Sequence, residues 1–124
     1  MAEKKTILVV EDEESIAKSY LKHFHDLGWE VVIAIDGEDA LEKLKNVTPD
    51  LILLDLILPK MHGFEFLSQI KQDEKLKNLP VIILSNLSSS RNKDKAVALG
   101  AEKYFVKTEV TIGDIVEMVQ EHFR

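Results

Sequence analysis

The sequence predicts an α/β fold in which a five-stranded parallel sheet is covered by helices on both faces, and three observations predict it. Strand-like and helix-like stretches alternate five times along the 124 residues, the pattern of a parallel sheet with right-handed crossovers. The run Leu51-Ile52-Leu53-Leu54 is apolar without alternation, as expected of a strand buried on both faces in mid-sheet. Polar or charged residues end the strand-like runs at Glu11-Asp12, Asp55, Ser85 and Lys107. In open α/β sheets, chemistry is placed in the crevice outside the carboxyl ends of the strands.

Thr6 to Val10 is a β-branched run that ends in Glu11-Asp12-Glu13-Glu14. From Ser15 the period changes: Ile16, Tyr20, Phe24 and Leu27 recur at helical spacing, and Gly28 is placed to cap that helix. Trp29 to Ile35 reads as the second strand, closed by Asp36-Gly37. Ala40, Leu41, Leu44 and Val47 mark a second helix that stops before Pro49. The central strand follows, with Asp55 at its end.

Gly63 opens a third helix, with an apolar face predicted from Phe64, Leu67 and Ile70. Gln72 to Asn78 is a charged loop, and Pro80 introduces the strand Val81 to Leu84, with Ser85 at its tip. Ser88-Ser89-Ser90 reads as loop and N-cap of a fourth helix ending near Leu99-Gly100. That helix is thin in large apolar residues, having mainly Ala96, Val97 and Leu99. Tyr104 to Val106 is the fifth strand and stops at Lys107. The last helix carries Ile112, Ile115, Val116, Val119 and Phe123 on one face. No linker, low-complexity tract or solenoid repeat interrupts the chain, so one domain over residues 1–124 is expected.

Composition narrows the function. Hydrophobic residues make up 45% and charged residues 31%, ordinary for a globular protein rather than a disordered one. A net charge of −6 disfavours nonspecific binding to nucleic acid or to an anionic membrane. There is no cysteine, no signal-peptide h-region and no apolar run long enough for a membrane span. A soluble, cytoplasmic protein is expected.

The strand tips bring Glu11, Asp12 and Asp55 to one sheet edge, with Ser85 and Lys107. Neighbouring carboxylates raise one another's pKa unless a cation neutralises them. Mg²⁺, a hard cation that takes carboxylate, water and phosphate oxygens, suits that set. The lysine ammonium and the serine hydroxyl add charge and hydrogen-bond stabilisation of the kind phosphoryl transfer needs. Asp55 is then the candidate nucleophile, forming an aspartyl phosphate.

This ensemble resembles the receiver domain of bacterial two-component response regulators over essentially the whole chain. The family's paired acidic residues match Glu11 and Asp12, and its phosphoacceptor matches Asp55, followed by Pro59 and Gly63. Its Ser/Thr matches Ser85, its lysine Lys107, and its switch aromatic Tyr104, three residues before the lysine. The resemblance implies a flavodoxin-like strand order 2-1-3-4-5. It implies a sensor histidine kinase or phosphotransfer protein as phosphodonor, with Mg²⁺ bound by Asp12 and Asp55, by Glu11 through water, and by the backbone carbonyl of Ile57. It also implies that Ser85, Lys107 and Tyr104 respond to phosphorylation and switch a surface of helix 4, strand 5 and helix 5. A downstream protein target would read that surface, and phosphorylation could drive a monomer to dimerise. On this reading the protein is a signal receiver rather than an enzyme, although it catalyses its own phosphoryl transfer and dephosphorylation. No effector follows Phe123-Arg124, so a stand-alone regulator, a relay carrier or one domain of a longer protein all fit.

Some residues depart from the family pattern. Thr108 stands where a cis proline usually follows the lysine, and a cis bond to a non-proline residue costs ~2.5–4 kcal/mol, so a trans bond is expected. Asn86 stands where a small residue is common, and the apolar Ile57 overhangs the path of an attacking water; slow self-dephosphorylation is expected. His23 and His25 lie two apart on a helix and do not make a metal pair, and His62 is expected to be merely exposed. Other classes fit less well. Haloacid-dehalogenase-type hydrolases need a second aspartate where this chain has Ile57, and no phosphate-cradling G-x-x-x-x-G-K-[ST] or G-x-G-x-x-G run is present. A receiver-like scaffold that binds partners without phosphorylation is the remaining alternative.

Overall fold

A computed structural model describes residues 4–86 and 90–124. Five parallel strands form one sheet: β1 (Thr6–Val10), β2 (Glu30–Ala34), β3 (Leu51–Leu54), β4 (Val81–Ser85) and β5 (Lys103–Val106), in the order β2-β1-β3-β4-β5. The helices between and after them are α1 (Glu14–His25), α2 (Gly37–Lys43), α3 (Gly63–Gln72), α4 (Ser90–Ala98) and α5 (Ile112–His122). This is the flavodoxin-like order that the resemblance implies.

The central strand explains its own composition. Ile52 and Leu54 face one core with Phe66, Leu67 and Ile70 of α3. Leu51 and Leu53 face the other, with Tyr20 and Phe24 of α1 and Ile115, Val116 and Val119 of α5. Every residue of β3 is buried, so both sets of alternate side chains must be apolar. That packing holds the carboxyl end of β3, and with it Asp55, at a fixed place on the sheet edge.

Several boundaries move from those the sequence predicts, each for a local reason. The α-helical part of α1 ends at His25, but Gly28 still closes it, with φ 78°. Trp29 N–H donates to Phe24 O at 3.0 Å and Gly28 N–H to His25 O at 2.8 Å, the paired bonds of a Schellman stop. Leu27, predicted on the buried face, is therefore carried into the turn and is exposed. Trp29 precedes β2 rather than joining it and stacks on Phe24 at 5.8 Å. Ile35, predicted in the strand, lies beyond it and is 58% exposed.

On α3, Phe66 is buried with Leu67 and Ile70, whereas Phe64 is only half-buried. Phe66 is one residue from Leu67 and faces the sheet, while Phe64 lies at the helix start and meets the Lys95 ammonium of α4, 4.7 Å from its ring centroid. α4 buries only Ala96, and Val97, predicted to join its apolar face, is 57% exposed. Ser90 is the first residue of that helix rather than its cap, and Ser88 and Ser89 lie outside the described residues. Among the described residues no helix is long and apolar enough to cross a membrane.

Candidate functional site

The site is built at the carboxyl ends of β1, β3 and β5. Glu11 N–H donates to Ala34 O at 2.9 Å, extending the β1–β2 ladder by one residue, and so turns the Glu11 side chain inward at 3% exposure. Asp12, the next residue, is exposed. Asp55 N–H donates to Val10 O at 3.1 Å, which places its carboxylate beside that of Glu11, at 8% exposure. Glu11, Asp12 and Asp55 each offer a carboxylate oxygen, and these atoms lie within 4.8 Å of one another.

Lys107 joins the buried pair. Its Nζ donates to Glu11 Oε1 at 2.6 Å and to Asp55 Oδ2 at 2.8 Å. Asp55 Oδ1 accepts the Ile57 N–H at 3.1 Å, and Glu11 Oε2 accepts the Glu13 N–H at 3.2 Å. Burial pushes the Glu11 carboxyl above its usual range, opposed by Lys107 and reinforced by the Asp55 charge. Burial alone would lower the Lys107 ammonium, but its bonds to Asp55 and Glu11 outweigh that and raise it. One ammonium is thus shared between two carboxylates, with Asp12 a third at the mouth.

The loop after Asp55 is held by close backbone packing. Gly63 N–H donates to Leu56 O at 2.8 Å, and a Cβ on Gly63 would lie 2.5 Å from Leu56 Cα and 2.8 Å from Asp55 O. Only glycine permits that approach. Lys60 takes a positive φ of 66° at the loop's tip. His62, expected to be merely exposed, is exposed but also caps α3: its Nδ1 accepts the Phe64 N–H at 3.1 Å.

Ser85 is fully buried at the tip of β4, and Tyr104 is buried on β5. Burial raises the Tyr104 phenol above its ordinary value, and a side-chain hydrogen bond with Ser85 opposes the shift. The structure therefore brings Ser85 to Tyr104. The open cleft over Asp55, about 220 Å³, is lined instead by Glu11, Asp12, Glu13, Ile57, Asn86 and Lys107 with it. Asn86 and Ile57, which depart from the family pattern, are both at that opening.

After Lys107 the chain makes a short 3-10 turn, Lys107–Glu109, which the strand and helix periodicities do not signal. No cis peptide bond occurs among the described residues, so Lys107–Thr108 is trans. The lysine nonetheless reaches both carboxylates. The donor set of three carboxylates and no nitrogen or sulfur ligand fits a hard divalent cation.

Residues 7–120 match the sequence model of the response regulator receiver domain. The chain is 39% identical over 103 residues to the alkaline phosphatase synthesis transcriptional regulatory protein PhoP of Bacillus subtilis, covering 83% of this chain and 42% of that protein. It is 36% identical over 115 residues to the regulator of RpoS of Escherichia coli, covering 93% of this chain and 34% of that protein. It thus spans well under half the length of these curated relatives. The chemotaxis response regulator CheY4 of Vibrio cholerae superposes with a TM-score of 0.87 at 29% identity, over 96% of this chain and 98% of that one. The Mn²⁺-bound form of response regulator Rcp1 does so with a TM-score of 0.80 at 32% identity, over 94% and 90%. Matched along nearly its whole length by that sequence model, and sharing the fold of these regulators, the chain belongs to the response regulator receiver domain family.

Proposed function

We propose that this receiver domain takes a phosphoryl group on Asp55 from the phosphohistidine of a sensor kinase or phosphotransfer protein, with Mg²⁺ bound, and thereby changes what its surface binds. The observation that carries the reading is the Lys107 ammonium bonded at once to Glu11 and Asp55, with Asp12 beside them. In the transfer the N–P bond of the donor breaks and an O–P bond to an Asp55 carboxylate oxygen forms; the imidazole nitrogen leaves and takes up a proton.

Glu11, Asp12 and Asp55, with the Ile57 carbonyl, would hold the cation. When bound, it supplies positive charge to the oxygens of the transferring group. The manganese-bound state described for Rcp1 and the phosphorylated state described for the cyanobacterial phytochrome response regulator RcpA, 30% identical with a TM-score of 0.83, support this assignment. Lys107 fixes one Asp55 oxygen and the Ile57 N–H the other, so the nucleophile is oriented before the donor arrives.

A phosphoryl group adds about 1.5–2 negative charges. Lys107 and the Ser85 hydroxyl are the groups available to answer that charge. Drawing Ser85 toward it competes with the Ser85–Tyr104 hydrogen bond, which links the site to β5. α4, which buries only Ala96, is the element with least to lose in moving. A downstream protein reading α4, β5 and α5 would sense the change. The chain acts as a switch that promotes its own phosphorylation and dephosphorylation, in the cytoplasm, without binding nucleic acid itself.

The test is intact-protein mass after incubation with acetyl phosphate, with and without Mg²⁺. The expected result is a phosphate adduct of ~80 Da on the wild type, dependent on Mg²⁺ and absent from Asp55→Asn. No adduct under any Mg²⁺ condition would reduce the chain to a receiver-like scaffold.

A further inference from the structure

We propose that Lys60 is a positioning residue for phosphoryl transfer: held by Asp36 at the start of α2, it keeps the loop after Asp55 in the shape that presents the Ile57 main chain to the cation. The proposal rests on the phosphoreceiver reading and deepens it. Lys60 is not among the residues lining the cleft over Asp55, so it acts through the loop. The loop is strained at this residue. Met61 N–H donates to Pro59 O at 2.7 Å, with Lys60 between them at φ 66°. A three-residue turn closed over a left-handed residue is the rare, strained form of the γ-turn, and a Cβ disfavours it. Among the described residues, Lys60 is the one non-glycine residue with positive φ. Glycine would adopt that conformation freely, so a lysine here points to a use for its side chain.

Such strain persists only where the surroundings over-determine the conformation, and two contacts with the start of α2 do so. Lys60 Nζ lies 3.9 Å from Asp36 Oδ2, and Asp36 is 3% exposed. The other carboxylate oxygen, Oδ1, accepts the Asp39 N–H at 2.7 Å, which fixes Asp36 to the helix it caps. Gly37, the next residue, is buried and makes room for Met61. A Cβ on Gly37 would lie 2.9 Å from both Cβ and Sδ of Met61. Two consecutive residues of the loop thus meet two consecutive residues at the start of α2.

The base of the loop is tied as well. Ile57 N–H donates to Asp55 Oδ1 at 3.1 Å, and Gly63 N–H donates to Leu56 O at 2.8 Å. The loop is therefore fixed at its base and at its tip, and Ile57 lies between the two. With the tip released, the residues from Ile57 to His62 would have more conformations to lose when a cation binds, and affinity would fall by that ordering cost. The exposed Lys60 ammonium thus serves the site at a distance, by keeping the loop preorganised.

The experiment is calorimetric titration of the full chain with Mg²⁺ at constant ionic strength, for wild type, Lys60→Ala, Lys60→Gly and Lys60→Arg, with urea unfolding of each. Lys60→Ala and Lys60→Gly are expected to bind Mg²⁺ about threefold more weakly, the scale of an exposed ion pair. Lys60→Arg keeps the charge and is expected to bind as wild type does. Removing a positive charge from the loop would by itself strengthen cation binding, so the expected change is opposite in sign to a field effect. Lys60→Gly relieves the φ strain and is expected to be no less stable than wild type, which separates positioning from general support of the fold. Asp36→Asn keeps an acceptor for the helix cap; it is expected to weaken Mg²⁺ binding and to add little to Lys60→Ala. Unchanged or tighter Mg²⁺ binding by Lys60→Ala and Lys60→Gly overturns the proposal, as does a Lys60→Arg that binds as weakly as Lys60→Ala. A wild type that binds no Mg²⁺ and takes no phosphoryl group from acetyl phosphate overturns the phosphoreceiver reading, and the proposal with it.

Discussion

Lys107 Nζ lies 2.8 Å from Asp55 Oδ2, across the strand that separates β5 from β3, and the same ammonium holds Glu11 at 2.6 Å. The three groups are one electrostatic unit: among the described residues, Lys107 is the cation that both carboxylates share. The lysine therefore does in the unphosphorylated chain part of what a bound divalent ion would do.

Removing that ammonium tests the unit. Lys107→Met is expected to lower stability by about 3 kcal/mol, the cost of stranding buried carboxylates without a partner. Added Mg²⁺ is expected to raise the melting temperature of the variant by more than it raises that of wild type. Equal Mg²⁺ shifts for both would mean that Lys107 and the cation do not serve the same charges.

Gly63→Ala is expected to destabilise by about 1–3 kcal/mol, since its Cβ would sit 2.5 Å from Leu56 Cα with backbone rather than a flexible side chain in the way. The loop that must give also carries Asp55. Urea unfolding gives the stability, and the rate of acetyl-phosphate labelling should fall with it. A stability equal to wild type would show that the approach is not tight.

Ile57 is 54% exposed and lines the cleft over Asp55, so it can be changed without disturbing the core. Ile57→Asn is expected to shorten the phosphoryl lifetime about tenfold, ~1.4 kcal/mol of barrier, by replacing an apolar cover with a group that can hold water. Following loss of the ~80 Da adduct measures it; an unchanged half-life would sink the idea.

Stability should depend on pH through Asp39. Burial tends to raise its carboxyl, but the Lys43 hydrogen bond and the Ile35 N–H outweigh this and hold it below its usual 3.8. A depressed folded value means the contribution is fully present above the unfolded pKa and is lost as pH falls through the folded one. Wild type is expected to exceed Asp39→Asn by about 0.5 kcal/mol at neutral pH, a partly exposed and screened pair. The gap should close in the acid range below 3.8. A pH-independent difference in urea unfolding would refute the linkage.

What the sequence determined by itself is the class of fold and the roster of strand-tip residues. The unbroken apolar run Leu51–Leu54 can only be satisfied between two cores, and a polar residue at the end of each run marks where burial stops. Because side-chain identity and period carry that information locally, Glu11, Asp12, Asp55, Ser85 and Lys107 were legible at once. Cap details were partly legible: Gly28 announces a stop, but Asp36, His62 and the Thr111–Asp114 capping box become caps only through the backbone around them.

Tertiary structure decided who meets whom. That Lys107 bonds Glu11 and Asp55 together depends on strand order, which places β1, β3 and β5 tips on one edge although 96 residues separate the first pair. That Ser85 turns to Tyr104 depends on the β4–β5 register, in which Ile83 pairs with Tyr104. Phe66 rather than Phe64 on the sheet, and Ile35 outside the strand with its N–H on Asp39, follow from how helices seat on a finished sheet. Local periodicity has no knowledge of a distant partner. Hydrogen bonds and ion pairs between elements are fixed only when packing brings their ends together.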